Sequence, residues 1–261
     1  MNDAPIGVFD SGLGGLTVWS ELRRKLPAES LIYYGDGKNC PYGDKSPEEV
    51  REHVDFAVRR LLGRGVKLIV VACNAATAMT IDHLRATYPI PFVGLEPAVK
   101  PAALSSRSGV IGILATAATL KGRLFRKTSQ RYADRVRILS RVGEGFVELV
   151  ESNREDSEEA LETVRRQLEP MIEAGADRIV LGCTHYPFLV AAMRRVIGDR
   201  DIELVNPAAA VERHTETLLH ELGLASETDR KPRYEFMSSA DEAYLNKLIA
   251  KSDEAATADF G

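Results

Sequence analysis

The 261-residue sequence has three cysteines, and two of them stand in matching surroundings. Cys73 ends the stretch Gly65-Val66-Lys67-Leu68-Ile69-Val70-Val71-Ala72-Cys73, and Cys183 ends Gly175-Ala176-Asp177-Arg178-Ile179-Val180-Leu181-Gly182-Cys183. Each lies eight residues after a glycine, and the two are 110 residues apart. A lone buried cysteine is most often an inert small hydrophobe, but packing alone gives no reason to duplicate the placement. With a reference pKa of about 8.5, a thiol becomes a useful base once a helix N-terminus or a positive neighbour stabilises its thiolate. Two such thiols on opposite sides of one cleft could remove a proton from one face of a carbon and deliver one to the other.

Each thiol has polar neighbours. Cys183 is followed by Thr184-His185-Tyr186-Pro187, and Cys73 by Asn74 and Thr77, while Asp10-Ser11 closes another apolar run in the first half. A carboxylate or imidazole hydrogen-bonded to a thiol can help move its proton. His185 reads either as the partner of Cys183 or as a satisfied core histidine, and its position favours the partner. Asp10 reads equally as a partner or as an N-cap or turn former. Cys40, beside Pro41-Tyr42-Gly43, reads as inert; His53, His214 and His220 read as surface or packing residues. Asp10-Ser11-Gly12-Leu13-Gly14-Gly15 lacks the spacing of a nucleotide-binding glycine loop.

The elements that position these residues alternate in type. Strand-like runs at 6–10, 31–35, 68–73, 92–95, 110–114, 136–139, 179–183 and 202–205 are separated by amphipathic stretches. That alternation predicts an α/β protein with mainly parallel sheets flanked by helices. Ser46, Pro47 and Glu49 form a capping box that opens one helix. A second helix runs over about 157–174, with a kink expected at Pro170. Two further correspondences accompany the cysteines: Glu96-Pro97-Ala98 with Asn206-Pro207-Ala208, and Ile6–Ser11 with Ile111–Thr116. In the same order along the chain, they predict two pseudo-symmetric α/β lobes, 1–97 plus 208–261 and 98–207, with the active site in the cleft between them. The segment after 208 should add a helix, a strand at 234–237 and a helix over 241–251, leaving 252–261 frayed.

Composition removes several function classes. Apolar residues make up 44% and charged residues 28%, which excludes a disordered chain. The longest apolar run is far short of the ~20 residues that span a bilayer. Net charge is -4, from 34 Lys and Arg against 38 Asp and Glu, so no nucleic-acid or membrane partner is expected. Three sparse cysteines and an N-terminus without a signal-like pattern suit the cytoplasm. No CxxC or HExxH occurs, and a metal site built from Cys73, Cys183, His185 and Asp10 would lack paired ligand spacing, so no metal is expected.

At these residues the sequence resembles glutamate racemase, a cofactor-independent amino-acid racemase family of bacterial cell-wall synthesis. The matching strings are IGVFDSGLGG (6–15), YYGD (33–36), PYG (41–43), VVACNAAT (70–77), GVIGILAT (109–116), LVE (149–151) and LGCTHYPF (181–188). The resemblance implies a 1,1-proton transfer at Cα of glutamate that supplies D-glutamate for peptidoglycan, with no metal and no pyridoxal phosphate. Cys73 would take the proton from the D-enantiomer with help from Asp10. Cys183 would take it from the L-enantiomer with help from His185 and Glu151. Substrate contacts would come from Asp10, Ser11, Tyr42, Gly43, Asn74, the backbone of Ala75, Thr184 and His185, and a homodimer is compatible with this reading. The family commonly has Thr where this chain has Ala75, so a hydroxyl that would help hold a carboxylate is missing. Val142-Gly143-Glu144-Gly145 likewise replaces a commoner Cys-Pro-containing segment before Glu151. The alternatives are a racemase of aspartate or a related acid, and a binding protein that has lost turnover.

Overall fold

The computed structural model describes residues 3–226 and 231–258. The chain divides into two units, one built from the chain up to Leu95 together with Ala208–Ala258, the other from Glu96–Pro207. In the first unit the order is β1 (Ile6–Asp10), α1 (Leu16–Lys25), β2 (Leu31–Gly35), α2 (Pro47–Leu62), β3 (Leu68–Val71), α3 (Asn74–Thr87) and β4 (Phe92–Gly94). The second unit runs α4 (Val99–Ser105), β5 (Val110–Ala115), α5 (Ala117–Lys121), α6 (Arg123–Tyr132), β6 (Arg137–Val142), α7 (Phe146–Glu151), α8 (Glu158–Glu173), β7 (Arg178–Gly182), α9 (Val190–Ile197) and β8 (Glu203–Val205). The chain then completes the first unit with α10 (Ala208–Glu221), β9 (Tyr234–Ser238) and α11 (Glu242–Thr257).

Each unit holds one sheet, and every strand pair in it is parallel. The first sheet has the order β4-β3-β1-β2-β9 and the second β6-β5-β7-β8. Taken from its other edge, the second sheet runs β8-β7-β5-β6, the same succession as β4-β3-β1-β2. The sequence correspondences thus map β1 onto β5, β3 onto β7 and β4 onto β8. Strands β1, β2, β3 and β7 are buried along their whole length, as expected for parallel strands covered by helices on both faces. In the second unit Val99, Ala102 and Ala103 of α4 and Phe125 of α6 pack on Ile111, Ile113 and Val180, forming one layer of that core.

Local signals account for the helix boundaries. Ser46 Oγ accepts from the Glu49 N–H, while the Glu49 carboxylate accepts from the Ser46 N–H at 3.0 Å. Ser157 caps α8 through the Ala160 N–H at 3.1 Å. Pro170 sits in the last turn of α8, and the helix continues to Glu173. Gly65 and Gly175, eight residues before each repeated cysteine, have φ of +72° and +86°. That left-handed backbone turns the chain from α2 into β3 and from α8 into β7, and glycine adopts it without steric cost.

Two expectations need correction. The strands stop short of the cysteines: β3 ends at Val71 and β7 at Gly182. Cys73 instead serves as the cap residue of α3. The fraying expected from Ser252 is also wrong for the described residues, because α11 continues to Thr257. Leu248, Lys251, Ser252 and Ala255 are buried and share one face of that helix, so small and polar residues here make a packing surface. Residues 259–261 lie outside the described residues. Among the described residues no helix is long and apolar enough to cross a membrane.

Candidate active site

The carboxyl ends of β1, β2 and β3 bring one group of the expected residues together. Asp10, the last residue of β1, is fully buried, and its Oδ2 accepts from the N–H groups of Gly12 at 3.2 Å and Gly15 at 2.9 Å. The turn-forming reading of Asp10 therefore holds, and it accounts for the glycines. A Cβ on Gly15 would lie 2.6 Å from the Asp10 Cβ and 2.9 Å from the Tyr33 hydroxyl. The turn from β1 into α1 can close over Asp10 only if that position is bare.

Cys73 has an extended backbone, with φ -138° and ψ 118°, and its Sγ accepts from the Ala76 N–H at 3.4 Å. It thus takes the place a serine usually fills at a helix start. The N–H and the helix field there favour a negatively charged sulfur. Cys73 Sγ is 3.7 Å from the Ser11 hydroxyl. The backbone N–H groups of Asn74 and Ala75 open α3, where helix geometry supplies no intrahelical acceptor. The Asn74 side-chain oxygen is buried and lacks a hydrogen-bond partner among the described residues. A buried acceptor left open is uncommon and marks a place where a ligand can bind.

Tyr42 is buried, and its hydroxyl donates to Asp36 Oδ2 at 2.5 Å. Burial pushes the phenol far above the ordinary tyrosine range, and the Asp36 carboxylate and the charges of Cys73 and Asp10 push it further. The phenol therefore keeps its proton and directs it at Asp36. The neighbouring Gly43 is half-buried, and so is Cys40.

The second unit treats its cysteine differently. Cys183 is followed by a short 3-10 turn, Tyr186–Leu189, before α9 begins, so its sulfur does not head an α-helix. Instead Cys183 Sγ is 3.9 Å from His185 Nδ1, and His185 Nε2 is 2.7 Å from Glu151 Oε1. Cys183, Thr184 and His185 are all buried. Sulfur, imidazole and carboxylate lie in this order, an arrangement in which a carboxylate can orient a ring that shares a proton with a thiol.

Glu151 is the last residue of α7, and the unusual Val142–Gly145 segment sets where that helix begins. Tyr186 lies so close that a Cβ on Gly143 would come within 2.5 Å of its hydroxyl oxygen. Gly145 has φ +80° and turns the chain into α7. Phe146 meets Tyr186 edge to face at 5.0 Å. The segment is a fitted turn that places Glu151 against His185. Sequence reasoning assigned no role to Asp36, whose carboxylate also accepts from the Asn39 side chain at 3.0 and 3.1 Å. The available signal was an acid directly after β2, as Asp10 ends β1.

Comparison with known proteins gives a consistent picture. Residues 6–215 match the family described as Asp/Glu/Hydantoin racemase. The chain is 46% identical over 247 residues to the glutamate racemase of Deinococcus radiodurans, covering 94% of this chain and 85% of that protein. It is 44% identical to the glutamate racemase of Herpetosiphon aurantiacus, covering 95% and 97%. Among solved structures, glutamate racemase RacE1 of Bacillus anthracis superposes with a TM-score of 0.87 at 31% identity, covering 96% and 94%. Escherichia coli glutamate racemase, solved with L-glutamate and the activator UDP-MurNAc-Ala, gives 0.85 at 32% identity, covering 97% and 95%.

Proposed function

The chain belongs to the Asp/Glu/Hydantoin racemase family, and we propose that it interconverts L- and D-glutamate by passing the α-proton between the thiols of Cys73 and Cys183. The observation that carries this reading is that two cysteines at equivalent places in a repeated fold are each equipped for proton transfer by a different device. Cys73 caps a helix whose N–H stabilises its thiolate. Cys183 lies beside an imidazole backed by a carboxylate.

With D-glutamate, the Cys73 thiolate takes the α-hydrogen as a proton while the Cys183 thiol gives its own to the opposite face of the carbon. One proton leaves the carbon and one arrives, so the amino acid is inverted with its composition unchanged and the two thiols exchange protonation states. From L-glutamate the roles reverse, with His185 and Glu151 supporting the ionised Cys183. Asp10 assists on the Cys73 side, where its carboxylate is held by two backbone N–H groups. The N–H groups of Asn74 and Ala75 and the unpaired Asn74 oxygen receive the polar groups of the substrate. Ser11, Tyr42, Gly43 and Thr184 complete the contacts. D-glutamate of this origin serves the peptidoglycan, and a reducing cytoplasm suits a reaction that needs both thiols free.

The test is racemisation in deuterated water. Wild-type enzyme is expected to invert either enantiomer of glutamate and to place deuterium at Cα. Cys73→Ser and Cys183→Ser should each lose inversion by at least about a thousandfold, as expected when a nucleophilic or basic group is removed. Full activity in either variant ends the two-thiol mechanism. Exchange with aspartate but not glutamate would transfer the reading to the other acid, and binding without exchange would leave a binding protein.

A further inference from the structure

Directly after β2, seven residues turn the chain back toward the sheet's carboxyl end and deliver Tyr42, and they are held at two points. The first is internal. Asp36 is 2% exposed, and its carboxylate receives the Tyr42 phenol at 2.5 Å and the Asn39 amide at 3.0 and 3.1 Å, while its N–H donates to the Asp10 carbonyl at 3.0 Å. One buried acid therefore connects the residue proposed to assist Cys73 with the end of the turn.

The second point is external and comes from more than 190 residues later in the chain. Strand β9 pairs with β2 as far as Ser238 opposite Gly35. Ser239 then donates its N–H to the Gly35 carbonyl at 3.3 Å and accepts the Lys38 N–H on its hydroxyl at 3.2 Å. The Tyr244 ring of α11 lies flush on Gly37: a Cβ there would be 2.3 Å from two of its ring carbons. Asp241 caps α11 through the Tyr244 N–H at 3.0 Å, which holds that ring at the helix start. A turn made only to connect β2 with α2 needs neither a buried acid nor a brace from a distant element.

We propose that Asp36 and Tyr244 are positioning residues of the racemase: Asp36 orients the Tyr42 phenol from within the turn, and Tyr244 braces the turn from behind through Gly37. The phenol's proton is committed to the hydrogen bond with Asp36, so Tyr42 offers the substrate only the lone pairs of its oxygen. The hydroxyl can then accept from the α-ammonium group of glutamate but cannot donate to a carboxylate. The inference rests on the proposed function, since it assumes that Tyr42 contacts the substrate.

A double-mutant cycle on kcat/KM tests it, with deuterium incorporation at Cα as the assay and thermal melting as a control for folding. Tyr42→Phe and Asp36→Asn are each expected to lower kcat/KM roughly tenfold, while the double variant is no worse than Tyr42→Phe alone. Tyr244→Ala should lower kcat/KM by a similar factor, and Tyr244→Phe, which keeps the ring on Gly37, should restore it. General destabilisation would instead multiply through the cycle, and a multiplicative result overturns the proposal. So does an Asp36→Asn enzyme with the wild-type kcat/KM. If Asp36→Asn does not fold, Asn39→Ala, which removes a lesser partner of the same carboxylate, goes through the same cycle with the same expected non-additivity. A Tyr42→Phe enzyme at the wild-type rate removes Tyr42 from the site and overturns the inference, whereas an active Cys73→Ser enzyme strikes the two-thiol reading itself.

Discussion

Cys73 and Cys183 follow matching strands of matching sheets, yet the surroundings of the two sulfurs differ. In the first unit a helix of fourteen residues begins three residues after the end of β3, and Cys73 is its cap. Helix N–H groups can stabilise a negative sulfur without any change in their own protonation. In the second unit the corresponding segment is a 3-10 turn, and the neighbour of the sulfur is His185, bonded in turn to Glu151 on α7. A repeated backbone thus preserved the position of the thiol while its electrostatic support diverged. Support by fixed dipoles is insensitive to pH, whereas support by an imidazole depends on its protonation. The turnover numbers of the two directions should therefore respond differently to pH and to substitution, while kcat/KM stays equal in both because enantiomers interconvert with an equilibrium constant of one.

The largest effect that probes this difference is the loss of either thiol, described above. Next comes His185→Asn, expected to cost roughly 10²- to 10⁴-fold, the range for a positioned acid or base. The loss in kcat should be greater from L-glutamate than from D-glutamate, as read by initial rates of deuterium wash-in at saturating substrate. Equal losses in both directions would mean that His185 does not serve Cys183 in particular.

Gly143→Ala should act on the same side more weakly and through structure. The added methyl must displace Tyr186, an overpacking that costs about 1–3 kcal/mol and shows as a lowered melting temperature together with partial loss of activity. A stable, fully active Gly143→Ala enzyme would break the link between the Val142–Gly145 turn and the placement of Glu151.

One pH effect belongs to the second unit. Asp177 is partly desolvated, which disfavours its charge, but hydrogen bonds from the Ser106 hydroxyl and the N–H groups of Arg107 and Ser108 outweigh this and bring its carboxyl down to about 2. With an unfolded value near 3.9, its stabilisation is complete above about pH 4 and is lost as pH falls toward 2. Asp177→Asn should lower stability at neutral pH and flatten the acid side of the stability curve. An unchanged acid limb in denaturant titrations would refute this.

The smallest expected effects compare the two equivalent helix caps. Ser46→Ala and Ser157→Ala should each cost about 0.5–2 kcal/mol in chemical denaturation. The cost should be larger for Ser46, where Glu49 returns the hydrogen bond. Equal costs would show that the reciprocal bond adds nothing.

Much of this architecture was legible along the chain. The alternation of apolar runs with amphipathic stretches is set by side-chain periodicity, and the Ser46-Pro47-Glu49 box by local backbone demand, so both appear within a few residues of sequence. The repeated glycine eight residues before each cysteine marks a left-handed turn that few other residues can take. Less legible were the strand ends, because whether Ala72 and Cys73 extend a strand or cap a helix depends on the first turn of α3. The tail after Ser252 looked unstructured because its residues are small and polar, and only the surface waiting beneath α11 gives them something to cover.

The linear sequence determined the identity and duplicated placement of the two thiols, the glycines that let the chain turn beside them, and the parallel sheets that carry them. These depend on residue types and short spacings, which the chain carries wherever it folds. Tertiary structure alone decided that Glu151 meets His185 across 34 residues and that Tyr244 lies on Gly37. Both contacts join positions with no periodic relation along the chain and form only when separate elements pack. The Tyr42 hydrogen bond to Asp36 closes within one turn, and burial is what makes it matter.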